Sequence, residues 1–276
     1  MGMRITTNVA ALNSQRQLVN SNRAIQNSMA QLASGSRINR SSDDAAGLAI
    51  SENMKSQIRS AVQARRNAND GISLVQTAEG SLQELSNITT RLRELGIQAA
   101  SDTIGDRERG FINLEVQQLK NEIQRISQTA NWNDNKLLDG SSPVFDFQVG
   151  LGSTENDVIS FDASHNIATL ASLGLTDLDF ASKDGARNGL TALDTAQNNV
   201  SGMRANLGAL QNRLTSTVDT LAVTEENLAA ANSRIRDTDI AAASSEMARN
   251  NVLLQAGTAT LAQANQSTQL ALKLIG

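Results

Sequence analysis

The chain has 276 residues and a net charge of −4, with one Pro, no Cys, no Tyr and only 2% aromatic residues. That inventory excludes disulfide and thiolate chemistry, offers no strongly basic surface to a nucleic acid, and lacks the large rings that fill thick cores. Charge is unevenly placed: residues 1–42 carry five Arg and no acid, the last forty residues sum to −1, and the middle holds −8.

Residues 5–33 read as an amphipathic helix. Ile5, Leu12 and Val19 fall seven apart, and so do Leu18, Ile25 and Leu32, so the apolar stripe migrates round the helix. The spacing predicts a coiled-coil strand. A basic helix lying on a membrane is the rival, but no Trp or Phe anchors its apolar face. In ASGSRINRSSDDAAG, Gly35 is a C-cap candidate and Ser41 or Ser42 an N-cap, with Asp43 and Asp44 in the first turn of the next helix. Carboxylates at a helix N-terminus explain this acidic pair without a metal or a reaction.

Residues 44–98 form a second long helical pattern, clearest at Leu85, Ile88, Leu92 and Leu95, spaced 3-4-3. Gly96, Gly105 and Gly110 mark a break. A third helix follows through Val116, Leu119, Ile123 and Ile126 and ends near Asn131. From 137 to 182 the period changes. Val144–Val149 alternates, placing Phe145, Phe147 and Val149 on one face, and Val158–Phe161 can pair with it across a Gly-rich loop as a β-hairpin. Residues 163–185 read as loop.

The longest signal runs from Leu190 to Ile235. Leu193, Val200, Leu207, Leu214, Leu221, Leu228 and Ile235 are seven apart without exception, and Ala196, Met203 and Leu210 open a second row three residues on. Such a helix is roughly 65 Å long and must lie along other long helices. After a short break at RDTDIA, with Asp239 as an N-cap candidate, Ile240, Met247, Leu254 and Leu261 again repeat at seven. The chain ends on apolar QLALKLIG. Helices with such thin seams are marginal alone, so the two termini are expected to pair with each other and with other copies. The predicted fold is mainly α: a long-helix coiled-coil rod with a small β-hairpin and paired terminal helices.

No catalytic inventory accompanies this fold. His165 stands alone, without the Cys or clustered carboxylates a metal site needs. Phosphate-loop, zinc-protease, nucleophile-elbow and dinucleotide-binding patterns are missing. No enzyme activity, cofactor or metal is expected. The N-terminus lacks a signal-peptide core, and no apolar run is long enough to span a membrane.

Residues 32–54, LASGSRINRSSDDAAGLAISENM, and 66–82, RNANDGISLVQTAEGSL, resemble bacterial flagellin. The opening MRITTNVAALNSQRQL, the RLRELGIQAAS and NEIQRISQTANWNDNKLLDG segments and the chain from Leu190 onward are similar to it as well. The resemblance implies a structural protein that polymerises with itself into the flagellar filament. It implies that 1–42 and 237–276 pair as an inner-tube coiled coil, while 43–236 form an outer rod with its hairpin near 144–161. Only about 45 residues separate the rod helices, so this resembles a short form without variable outer domains. The same resemblance implies export through the flagellum without a cleaved signal peptide and an extracellular place in the filament. Its implied partners are a cap protein, a hook–filament junction protein and an export chaperone. A Toll-like receptor contact motif of the family falls on Arg91, Leu95 and Glu115. The family commonly carries a Pro near its C-terminus, where this chain reads NQSTQLALKLIG. A hook–filament junction protein shares the terminal pattern, and a membrane-binding amphipathic-helix protein is the reading from another class. A protease held in a variable region would need HExxH, which does not occur.

Overall fold

The computed structural model of the chain describes residues 7–141 and 144–275, the side chains of 267–275 excepted. Five helices and two hairpins follow in order: α1 Val9–Ser34, α2 Ala45–Ala99, α3 Asp106–Thr129, β1 Asn131–Trp132 with β2 Asn135–Lys136, β3 Val144–Gln148 with β4 Val158–Asp162, α4 Lys183–Arg236 and α5 Ile240–Ile275. Helices α2 and α4 have 55 and 54 residues, each about 80 Å long. Ile5 and the apolar side chains of the last residues lie outside the described residues.

Local chemistry sets the helix ends. The Asn8 side chain accepts from Ala11 N at 3.1 Å at the start of α1, and Gly35 closes it in the left-handed region at φ 68°, which glycine adopts without steric cost. The cap of α2 is Asp44, not Ser41 or Ser42: Gly47 N donates to Asp44 Oδ1 at 2.8 Å. Asp43 instead ties the preceding turn, accepting from Asn39 N and Arg40 N. Asp239 caps α5 as expected, accepting from Ala242 N at 3.0 Å. Two helices reach further than the glycines suggest. α2 runs through Gly96 to Ala99, and α3 starts before Gly110 at Asp106.

The chain divides into two compact units, residues 1–58 with 227–276, and residues 59–226. The division falls inside α2 and α4, and the loop breaks after α1 and before α5 both belong to the first unit.

In the first unit α1 and α5 pair antiparallel, with Asn8 Nδ2 donating to Ala264 O at 2.9 Å near one end and a Ser36–Asp237 bridge at the other. The α1 positions turned inward are Ala11, Ser14, Leu18, Ser21, Ile25, Ser28 and Leu32, an unbroken 3-4 alternation. This corrects the first row of the sequence reading. Leu12 and Val19 are 52% and 46% exposed, because a helix offers one partner one stripe and the Leu18 row, interleaved with serines, admits α5 closely. The matching α5 stripe runs from Ala243 through Met247, Leu254 and Leu261 to Ala264. Ile240 has the heptad phase but is 65% exposed, since it opens α5 where the pairing has given way to the chain break.

That break is stapled. Arg37 N donates to Arg236 O at 2.6 Å and Thr238 N to Gly35 O at 3.0 Å, while the Arg37 guanidinium donates twice to Ile235 O, at 2.8 and 3.2 Å. Arg236 in turn pairs with Glu52. The interruption between α1 and α2 and that between α4 and α5 are therefore one joint.

In the second unit α2, α3 and α4 share one apolar core with the hairpins. Leu193, Val200, Leu207 and Leu214 are fully buried. The β3–β4 pair matches Phe145 with Phe161 and Phe147 with Ile159, and its Phe147 lies over Gly71, where a Cβ would come within 3.2 Å of the ring. The β1–β2 hairpin has no apolar alternation to announce it. Its turn rests on Asn133 and Asp134, both at positive φ, residue types that tolerate this region. Residues 166–182 are loop as expected but not surface. Leu173, Leu175, Leu178 and Phe180 are buried in the same core. Phe180 fits because Gly96 and Gly189 leave room: a Cβ at either would stand 3.1 or 2.7 Å from its ring.

Candidate assembly surface

The side chains capable of chemistry are spread along helices. Glu79 faces Arg204 at 3.8 Å, Arg93 faces Asp194 at 2.8 Å and Arg65 faces Glu225 at 3.3 Å, all between α2 and α4. Gln197 Nε2 donates to Ser86 Oγ at 2.9 Å in the same row. Glu79, Ser86 and Arg93 are seven apart, so this polar row flanks the apolar seam as charged positions flank a coiled coil. Exposed pairs add little stability but disfavour slipped registers.

Among the described residues two cations, Arg109 and Lys120, are buried, and both hold backbone. Arg109 donates to Ala99 O at 2.9 Å, to Ser101 O at 2.9 Å and to Asp106 at 2.7 Å, closing the α2–α3 turn. Lys120 Nζ donates to Thr176 O at 2.7 Å and Leu178 O at 3.0 Å, fastening the loop that delivers Phe180. The sequence reading missed both, because a Lys or Arg on a helix normally faces solvent and no spacing marks one that turns inward.

Of the three receptor-motif residues, the structure joins two. Arg91 Nε and Nη2 donate to Glu115 Oε1 at 3.0 and 2.9 Å, and Nη1 to Glu94 at 3.1 Å. The hydrogen bond to Glu115 above all, then that to Glu94, holds the Arg91 pKa above its ordinary value. Leu95 is 2% exposed, inside the core, so it is not available for direct surface contact. It sits at a seam position, and the shared core takes its side chain. His165 lies on an exposed turn 3.4 Å from Asp162. Among the described residues no cluster of His, Cys, Asp or Glu could hold a metal ion, and no helix is long and apolar enough to cross a membrane.

What the molecule does present is uncovered apolar surface on a thin helix pair. Val9, Leu12, Val19 and Met29 are exposed on α1, and Ile240, Val252 and Leu253 on α5. The expected α4 row thins toward the same unit: Leu221 is 7% exposed and Leu228 and Ile235 only half-buried. Met247, Leu254 and Leu261 are also half-buried.

Residues 5–143 match the bacterial flagellin N-terminal helical region and residues 190–275 the bacterial flagellin C-terminal helical region. The chain belongs to the bacterial flagellin family. Flagellin of Halalkalibacterium halodurans is 45% identical over 99% of this chain and 100% of its own length. Flagellin of Bacillus subtilis is 42% identical with the same coverage, as is a flagellar filament core protein of Brachyspira hyodysenteriae. The crystal structure of Bacillus cereus flagellin superposes with a TM-score of 0.50 at 31% identity, over 56% of this chain and 88% of that one. A flagellar hook-associated protein of Vibrio parahaemolyticus gives a TM-score of 0.59 over 71% of this chain and all of that one, at 15% identity, a likeness of fold alone. Full-length correspondence with relatives of nearly this size makes this a short flagellin. The family is structural, which accords with the absent catalytic inventory, and it assembles with itself in the flagellum.

Proposed function

We propose that this chain is the repeating structural subunit of a flagellar filament used for motility, and that it carries no catalytic activity. The observation that carries the reading is the α1–α5 pair, whose outer faces keep seven large apolar side chains in solvent. A soluble helix pair gains nothing from them, whereas a polymer buries them between copies. In this reading residues 1–42 and 237–276 line an inner tube and residues 43–236 form the rod outside it. Exposed Leu12, Val19 and Ile240 then serve contacts between subunits, and the Leu193–Ile235 row holds the rod itself. The chain travels through the flagellum and ends outside the cell. A chaperone shields its C-terminal helix before export, a cap protein guides its polymerisation, and a junction protein joins the filament to the hook.

Electron microscopy of the full chain added to short filament seeds, beside a chain lacking 237–276, tests this. Elongation by the first and not the second is expected. Failure of both would favour the junction-protein reading, and binding to liposomes the membrane one. Recognition by a host Toll-like receptor is a second reading, supported by the exposed Arg91–Glu115 pair. Arg91→Ala is then expected to lower receptor signalling in a reporter cell, and an unchanged signal would remove the reading.

A further inference from the structure

We infer that neighbouring copies dock through one specific register, in which the outer face of α1 meets the flank of α5 of the next copy. The inference rests on the filament reading and adds the chemistry of the contact. On α1, Val9, Arg16 and Arg23 are seven apart and exposed, with Arg16 at the rim of a groove that Leu253 and Gly257 of its own α5 also line. On α5, Asp239, Glu246 and Leu253 are seven apart, exposed, and beside the seam. Laid antiparallel, the rows match at every position: Val9 meets Leu253, Arg16 meets Glu246 and Arg23 meets Asp239. Apolar faces apolar, and each cation faces an acid. Arg249, one turn from Glu246, falls opposite Asn13, so no like charges meet.

The two rows have no such partners within a copy. Arg16, Arg23 and Glu246 make no ion pair among the described residues. The internal register is different. Leu18 faces Gly257, so Glu246 lies roughly 13 residues, about 20 Å, along the axis from the level of its own Arg16. Asp239 caps α5 by accepting from Ala242 N with one carboxylate oxygen, which leaves its other oxygen for a second donor. The contact therefore requires another copy displaced by about 20 Å along the helices. Displacement along one axis preserves direction, so α1 of one copy still runs antiparallel to α5 of the next. Because the two faces differ, the contact is head-to-tail, and the displacement along the axis keeps successive copies from closing into a ring, as a filament requires. Two of the five Arg in residues 1–42, a stretch with no acid, find their acidic partners in the same contact.

The chain contains no Cys, so Arg16→Cys with Glu246→Cys introduces its only thiols, and the contact is read by a disulfide between 16 and 246 of different copies. Its two Cα atoms must approach within about 7 Å, which the internal register forbids and the proposed one supplies. Oxidised filaments grown from seeds are expected to give a ladder of covalent oligomers on a non-reducing gel, and unpolymerised chains none. Arg16→Glu with Arg23→Glu is expected to slow elongation roughly tenfold, and adding Glu246→Arg to Arg16→Glu to restore it. Filaments of the Cys pair without covalent oligomers would overturn the inference, as would normal elongation of the doubly reversed chain. If the Cys pair does not elongate, the charge swap decides: recovery supports the register and no recovery overturns it. A wild-type chain that never elongates seeds overturns the filament reading itself, a result distinct from all of these.

Discussion

Gly257 of α5 lies directly against Leu18 of α1, so closely that a Cβ at 257 would stand 2.8 Å from Leu18 Cδ2 and 3.2 Å from its Cγ. A glycine inside a helix costs about 1 kcal/mol relative to alanine. Here that cost makes the hole into which the Leu18 knob fits, and so sets the internal register of the terminal pair.

Two substitutions at this point separate the effects. Gly257→Ala is expected to be near neutral, the gain in helix propensity offsetting a small shift of a flexible leucine. Gly257→Val overfills the hole and is expected to destabilise the α1–α5 pair by about 1–3 kcal/mol. Circular dichroism on heating the two variants would show it; equal melting would mean that the hole does not set the pairing.

The rod depends on its α4 row. Leu207 and Leu214 are fully buried, and a carboxylate there has no partner. Leu207→Asp or Leu214→Asp is expected to prevent folding of the second unit and abolish filaments, whereas Leu207→Ala should cost about 2–5 kcal/mol and leave the fold intact. Normal filaments from either Asp variant would show that the row is not the core of the rod.

Phe180 is completely buried against two glycines. Phe180→Ala is expected to cost about 3–5 kcal/mol by leaving a cavity where α2, α4 and the preceding loop meet. Gly189→Val, whose Cβ would stand 2.6 Å from Leu178 Cδ1, is expected to expel the ring by overpacking. Protease nicking of residues 166–182 should accelerate in both variants, and unchanged nicking would mean that Phe180 does not pin the loop.

The hairpin loop should loosen in acid. Asp157 accepts from the Thr154 hydroxyl at 2.6 Å and Thr154 N at 2.9 Å, and these bonds, the hydroxyl's first, hold its pKa below the ordinary value of 3.8. A carboxyl whose folded pKa is depressed contributes stability that is complete above its unfolded pKa. That contribution is lost as pH falls below 3.8 toward the folded value, because the folded loop resists taking up the proton. Protection of the amides in residues 150–157, taken relative to the intrinsic exchange rate at each pH, is expected to fall across that acid window. The pH dependence should vanish in Asp157→Asn, which loosens the loop at neutral pH as well.

The cap of α2 gives a smaller effect. Asp44→Ala removes the acceptor for Gly47 N and is expected to cost about 1 kcal/mol, while Ser42→Ala should change nothing measurable. A reversed order in thermal melts of the two variants would move the cap back to the serine.

Much of this protein is written in its spacing. A seven-residue apolar repeat over a chain with one Pro specifies long helices, and Leu193, Val200, Leu207 and Leu214 are buried because that repeat keeps one side of α4 on a partner. Alternation at Phe145 and Phe147 specifies the hairpin on the same principle, and the motifs at 32–54 and 66–82 already pointed to the family. Periodicity does not say which of two stripes finds the partner. α1 carries two, and only packing against α5 selected the Leu18 row over the Leu12 row. Nor does it show a contact whose strength lies in geometry: the inward turn of Lys120 and Arg109, the seating of Phe180 over Gly96 and Gly189, and the merging of two chain breaks through Arg37 and Ile235. A repeat is local and survives in the sequence, whereas these contacts join residues far apart in the chain and exist only once the helices have met.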